Sequence, residues 1–385
     1  MNPAEDKIRL PGTHRTRTPE ETWAVAKRHL DRVGISRVAD VTHLDCIGVP
    51  VCLAIRPGSE TLAVSQGKGA TPLLAKISAV MESIELWHAE RPAVETFTAS
   101  AEELDLPYGL ADLRIRTELA PYRDSLRLDW VEGVGTVSGR AVPVPADLVG
   151  LTLAAGLDWR PAALHASSNG LASGNSREEA ALHAMYELVE RHATSFLRPG
   201  ARDRRRTVRV ETITGGHCTA LLDALHAAGV DTEVSFVPNE FGLPCFVCFV
   251  WSPEYPVLCA GSGCHSNAEV ALSRALTEAV QTRLTGISGT RDDIPSGNAA
   301  LETGMGGMVA PRFDPGGLTW AEAVQETPFD SDSIAAEFRS VAEHVERTVG
   351  LEPVMVDISS APEDFSVVRI VAPGLAYRNR GVIPR

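Results

Sequence analysis

The sequence predicts an α+β fold. Apolar stripes of helical period alternate with short β-branched runs bounded by Gly and Pro, and no low-complexity linker divides the 385 residues. One large domain, or two intimately joined halves, is therefore expected. A further regularity is that small-residue turns lead three times into helices carrying acidic side chains along one face.

Taken in order, Thr18-Pro19-Glu20-Glu21 has the form of a capping box with proline at the first helical position, and Gly34 closes that helix. Strands are expected at Ser36 to Thr42, Val49 to Ile55 and Thr61 to Gln66, followed by a turn at Gly67-Lys68-Gly69. Thr71-Pro72 opens the first acidic helix, which Pro92 ends, with Leu73, Ile77, Val80, Ile84 and Trp87 as its packing stripe. A proline-rich middle region from Ala93 to Ala162 mixes short helices with strands such as Asp129 to Thr136. Ser167 to Ser176 reads as a polar turn feeding the second acidic helix. Strands near Glu233 to Val237, Leu243 to Trp251 and Val257 to Ser262 precede Gly263-Cys-His-Ser-Asn267 and the third acidic helix. Gly286 to Gly317, including Gly304-Met-Gly-Gly307, has the composition of a lid. A helix from Ser333 to Val349 and strands at Pro353 to Ile358 and Ser366 to Val371 complete the chain.

The acidic faces carry the chemistry. At about 100° per residue, Ser78, Glu82 and Glu85 fall within roughly a quarter-turn, as do Glu179, His183, Glu187 and Glu190, and also Arg274, Glu278 and Gln281. Carboxylates one turn apart repel, so such faces on otherwise apolar helices call for a counter-cation. Oxygen-only ligands point to Mg2+ bridging to a nucleotide's phosphates, and Arg191 adds a cationic group for phosphate. A solvated amphipathic face is the plain alternative for any one helix.

Other signals are weaker. A net charge of −14 argues against a nucleic-acid partner, and the basic run Arg202-Asp-Arg-Arg-Arg206 reads as a solvated loop. The N-terminus lacks an apolar signal segment, and no stretch approaches the roughly 18 apolar residues of a membrane helix, so a soluble cytoplasmic protein with no membrane partner is expected. Seven cysteines fit reduced thiols. Cys245 and Cys248, followed by Cys259 and Cys264, have zinc-like spacing, but residues three apart on a strand face opposite ways, so core cysteines are favoured. Gly67-Lys68-Gly69 lacks the Walker spacing and reads as a tight turn. Glu85-Leu-Trp-His88 lacks the second such pair that a di-iron bundle needs, and no G-x-S-x-G elbow occurs.

The ordered set Gly12-Thr-His-Arg15, Arg37 to Thr42, Leu44-Asp45 to Pro50, Gln66 to Gly69, Ser78 to Glu85, Gly174-Asn175 to Arg191 and Arg274 to Gln281 resembles the YcaO family. The resemblance implies a YcaO-like α+β fold over residues 12–373, with mixed β-sheets and acidic helices converging on a nucleotide site, flanked by an N-terminal segment 1–11 and a tail 374–385. It implies ATP and Mg2+ as cofactors. Glu82, Glu85, Glu187, Glu190 and Glu278 would be Mg2+-phosphate ligands, and Ser78, Asn175, Glu179, Arg191, Arg274 and Gln281 nucleotide contacts. One departure is His192 after Glu190-Arg191, where the family often has Asp.

Family members activate a backbone amide of a precursor peptide. A nucleophile adds to the carbonyl carbon, ATP phosphorylates the resulting oxygen, and phosphate leaves. An adjacent Cys, Ser or Thr gives an azoline, sulfide a thioamide, and an amine an amidine. The chain ends Gly381-Val-Ile-Pro-Arg385 instead of the Pro-x-Pro-x-Pro tail of azoline-forming members. The stretch from Gly12-Thr-His-Arg15 through Glu85-Leu-Trp-His-Ala-Glu90 is similar to members that make thioamides beside a TfuA partner. Thioamide formation is thus the expectation, with cyclodehydration, amidine formation or a non-catalytic scaffold subunit as alternatives. A leader-peptide-binding protein and a second copy of the chain are the other partners considered. No catalytic residue is assigned.

Overall fold

The computed structural model describes residues 7–113, 119–151, 163–198, 204–214, 216–291, 310–324, 329–377 and 383. Within them lie a two-stranded ribbon (Ile8–Leu10, Thr13–Arg15) and a three-stranded antiparallel sheet (Arg37–Asp40, Val51–Ile55, Val64–Lys68). A six-stranded sheet joins Thr96–Ser100, Arg127–Gly135, Ala141–Pro145, Leu171–Gly174, Val354–Asp357 and Ser366–Val371. A four-stranded sheet joins Arg206–Val208, Asp231–Phe236, Cys245–Ser252 and Tyr255–Cys264. The fold is α+β, as expected.

The three acidic helices are Pro72–Glu90, Arg177–Ser195 and Ala268–Ser288. Each is capped in the same way, because Thr71, Ser176 and Asn267 accept a hydrogen bond from the backbone N–H three residues on. Each is also fed by a strand of a different sheet: Val64–Lys68, Leu171–Gly174 and Tyr255–Cys264. The helix backbone lies so close to its feeding strand that only glycine fits. A Cβ on Gly67 would stand 2.0 Å from Ala79 N, one on Gly174 2.5 Å from Ala180 N, and one on Gly261 2.3 Å from Ala279 N. Alanines on the helix side of each contact make this approach possible.

The cores follow from that packing. The four-stranded sheet is covered on both faces: Cys245, Val247, Phe249 and Cys264 pack with the second acidic helix and the helix Ile334–Val349, while Phe246, Cys248 and Val250 pack with the third acidic helix. The strand Cys245–Ser252 is accordingly buried throughout, and its run of apolar residues has no alternation to show. The zinc-like cysteines fall into two pairs on opposite faces, Cys245 with Cys264 and Cys248 with Cys259, inside separate cores.

Several expectations are corrected. Gly67 and Lys68 belong to a strand, and the chain turns only after them. The polar stretch 167–176 contains the fully buried strand Leu171–Gly174, whose small residues disguise it as a turn. The first helix is interrupted by a 3-10 turn at Lys27–His29 before Gly34 ends it. In the basic run, Arg205 is inserted rather than solvated: it donates to Glu233 at 2.7 Å and to Ser235 at 3.0 Å. Sequence reading missed the ribbon, the strand Arg206–Val208 and the helix Gly216–Ala227, and it left Thr96–Ser100 and Ala141–Pro145 unplaced among the strands expected of the middle region. Most of the expected lid, residues 292–309 with its Gly-rich centre, lies outside the described residues. So do residues 152–162 of the middle region and Arg202 and Asp203 of the basic run. No helix among the described residues is long and apolar enough to cross a membrane.

Candidate functional site

The acidic faces of all three helices meet at one cavity of about 700 Å³. Its wall includes every residue singled out by helical spacing, Ser78, Glu82 and Glu85, Glu179, His183, Glu187 and Glu190, and Arg274, Glu278 and Gln281, together with Arg191 and with Asn175, which the resemblance implied. The apolar stripe of each helix is spent on its sheet, which leaves the polar stripe to face the gap between helices.

Side chains lock the three units in a cycle, each helix holding the strand that feeds the next. Glu85 of the first helix accepts from Ser173 N–H at 2.8 Å and from its hydroxyl at 2.6 Å. Glu190 of the second accepts from the Ser262 hydroxyl at 2.5 Å. The third returns to the first: Glu278 pairs with Lys68 at 2.8 Å, and Gln281 Nε2 donates to the Gln66 carbonyl at 2.9 Å. Glu82 accepts from Gln66 N–H at 2.9 Å within its own unit. Ser173, Ser262 and Lys68 were not assigned roles from sequence. Their only trace there is a small or charged residue beside glycine, in an expected strand for Ser262 and in expected turns for Ser173 and Lys68.

The electrostatics are those of an anion-rich site with cations at its margin. Burial raises the Glu85 carboxyl to about 8, with Glu82 and Glu187 adding repulsion. Burial also raises Glu82, and it raises Glu187 against the pull of Arg191. Burial pushes Glu278 the same way, but Lys68 and Arg191 hold it below its ordinary value. Arg191 Nε, 3.7 Å from Glu187, is too far for a hydrogen bond, and both it and Gln66 Nε2 are buried donors without an acceptor. Mutually repelling, desolvated oxygens beside orphaned donors suit a divalent cation together with an anion. Among the described residues, no three acidic, imidazole or thiol groups stand close enough to hold an ion alone.

The N-terminal ribbon completes one wall. Glu179 accepts from Thr16 N–H and hydroxyl, both at 2.8 Å, and from the Asn175 amide at 3.2 Å, while Arg15 Nε lies 3.6 Å away. Gly12, Thr13 and Arg15 line the cavity. The Gly12-Thr-His-Arg15 motif thus contributes to the site itself. Ile383, the one described residue of the last eight, also lines it. His88 does not: it is buried between the Ile84 carbonyl and Ser360, each at 2.8 Å. His192, at the position of departure, turns away to Glu240 at 2.6 Å and the Ala376 N–H at 2.9 Å.

Comparison with known proteins identifies the family. Residues 66–376 match the YcaO family model, described as a cyclodehydratase that binds ATP and Mg2+. An uncharacterized protein of Mycobacterium tuberculosis is 37% identical over 378 residues, covering 94% of this chain and 83% of that protein. An uncharacterized protein in the tfuA 3' region of Rhizobium leguminosarum bv. trifolii is 35% identical over 288 residues, covering 72% and 68%. Among solved structures, YcaO from Methanopyrus kandleri, bound with AMPPCP and Mg2+, superposes with a TM-score of 0.72 at 22% identity over 97% of this chain and 95% of that one. A heterocyclase in complex with substrate and cofactor gives 0.76 at 20% identity over 97% of this chain, which spans 55% of the heterocyclase. ATP and Mg2+ are the ligands in the family's description, and AMPPCP and Mg2+ are those of the Methanopyrus kandleri protein. The chain belongs to the YcaO family.

Proposed function

We propose that this protein uses ATP and Mg2+ to activate a backbone amide of a precursor peptide, and that the product is a thioamide formed with a TfuA-type partner. The observation that carries the reading is the meeting of three acidic helix faces at one cavity with cations at its edge. Glu82, Glu85, Glu187, Glu190 and Glu278 would hold the ion, and Ser78, Asn175, Glu179, Arg191, Arg274 and Gln281 would orient the nucleotide. Mg2+ supplies charge neutralisation on the phosphates when bound.

Phosphoryl transfer asks the protein for alignment and charge more than for covalent help. Sulfide adds to the amide carbon, forming a C–S bond. The carbonyl oxygen then attacks the terminal phosphorus and ADP leaves. Cleavage of the C–O bond expels phosphate, and loss of the sulfur's proton leaves C=S. The relative named for its place beside tfuA supports this outcome. The fold likeness to a heterocyclase supports a second reading, in which a neighbouring Cys, Ser or Thr is the nucleophile and an azoline results.

The test is mass spectrometry of a peptide encoded beside the gene, incubated with the protein, ATP, Mg2+, sulfide and a TfuA-type partner. Sulfur-for-oxygen exchange supports thioamidation. Water loss confined to peptides with Cys, Ser or Thr supports the azoline reading. An unmodified peptide with no peptide-dependent ATP consumption would leave a nucleotide-binding scaffold.

A further inference from the structure

His183 lies on the cavity wall, one turn after Glu179 and one before Glu187 on the second acidic helix. Its Nε2 is 3.2 Å from Arg15 Nη1 and 3.3 Å from Arg274 Nη1. The two arginines come from unrelated elements, one from the N-terminal ribbon and one from the third acidic helix, and both line the same cavity.

Guanidinium groups do not give up their proton in a protein, so two of them side by side repel. Here both donate to one imidazole lone pair, which requires the neutral Nδ1–H tautomer. Burial, then Arg15, Arg274 and His265, hold the imidazole's titration well below its ordinary value, so it stays an acceptor at neutral pH. On its own helix, Glu179 is already taken by Thr16 and Asn175, and Glu187 faces Arg191. Arg274 has no carboxylate within ion-pair distance among the described residues, and Arg15, whose Nε pairs with Glu179 at 3.6 Å and whose Nη1 also donates to the His14 carbonyl at 2.9 Å, keeps its Nη2. Both guanidinium groups therefore retain donors for an anion.

We propose that His183 is a positioning residue that holds Arg15 and Arg274 together as a clamp on the phosphate oxygens of the nucleotide, and so ties the N-terminal ribbon to the site. This rests on the nucleotide-dependent reading above. His183 acts through the arginines and transfers no proton.

The test is calorimetric titration of the full chain with Mg2+ and a non-hydrolysable ATP analogue, comparing wild type with His183→Gln and His183→Leu. The Gln carbonyl oxygen can accept from both arginines, so His183→Gln should stay within about threefold of wild type, whereas His183→Leu should bind at least about tenfold more weakly, the scale of one charge-assisted hydrogen bond. Gln as weak as Leu, or Leu equal to wild type, overturns the clamp. Should His183→Leu not fold, His183→Ala, which removes the acceptor without adding a branched side chain, takes its place: affinity at least about tenfold below wild type is expected, and His183→Ala equal to wild type, or His183→Gln as weak as His183→Ala, overturns the clamp. Nucleotide binding without peptide modification would remove the amide-activation reading and leave the clamp standing. Wild-type protein that binds no nucleotide removes both.

Discussion

Glu85 accepts two hydrogen bonds from Ser173, backbone N–H at 2.8 Å and hydroxyl at 2.6 Å. A carboxylate of the first acidic helix is thereby fixed to the strand that feeds the second. Glu190 with Ser262, and Glu278 with Lys68, repeat the relation around the cavity. The groups suited to bind the ligand are thus also the groups that align the three units, which couples site geometry to packing.

The charge of that ring is what should bind Mg2+. Glu187→Gln or Glu190→Gln keeps shape but removes a negative charge, so each variant should lose Mg2+-dependent nucleotide binding by at least about tenfold with an unchanged circular dichroism spectrum, since phosphate-bound Mg2+ depends on few carboxylates. Glu190→Gln still offers Ser262 an acceptor, so its loss would report charge and not packing. Unchanged affinity in both variants would sink the site assignment.

The Glu85 carboxyl, raised to about 8 by burial, gives a pH signature. Between its unfolded value near 4.5 and about 8, the folded state binds the extra proton. Its contribution therefore favours the ligand-free fold below this window and is lost as pH rises through it. A cation must displace that proton. Titration of the Mg2+–nucleotide complex at pH 7 in buffers of different ionisation enthalpy should show proton release, fading by pH 9. The Glu85→Gln variant should release correspondingly less.

Arg56 and Glu90 form a buried ion pair, with side chains 3% and 1% exposed. Glu90 also accepts from Ser59 at 2.7 Å and from Thr61 at 2.6 Å. Burial works against its charge, yet these partners bring its carboxyl down to about 2. Arg56→Met strands a buried carboxylate and should cost about 3–5 kcal/mol in urea unfolding at pH 7. A loss below about 1 kcal/mol would mean that water reaches Glu90.

Gly261→Ala places a methyl 2.3 Å from both Ala275 O and Ala279 N. The third acidic helix must move outward, at a cost of about 2 kcal/mol or more. Because that helix carries Arg274, Glu278 and Gln281, nucleotide affinity should fall together with the unfolding midpoint. A destabilised variant with wild-type affinity would separate packing from site geometry.

If thioamidation is the reaction, the nucleophile comes from outside the peptide. Peptides without Cys, Ser or Thr at the modified position should then still exchange oxygen for sulfur. Phosphate release accompanies either outcome and does not discriminate, so the product's mass is the measurement. Modification restricted to peptides with a nucleophilic neighbour would restore cyclodehydration.

The sequence by itself determined the α+β class, the three acidic helices and the residues along their polar faces, because helical period is local. Thr71, Ser176 and Asn267 are legible as caps for the same reason. Leu171–Gly174 was not legible as a strand: its burial comes from Ser366–Val371 beside it and the second acidic helix above it, while its small residues resemble a turn. Nor were Ser173, Ser262, Lys68 and Arg15 assignable, since each matters through a partner far away in the chain. Only the tertiary structure decided that three separate faces share one cavity, because that depends on glycine-mediated approaches between helix and strand and on charge pairs that no local pattern encodes.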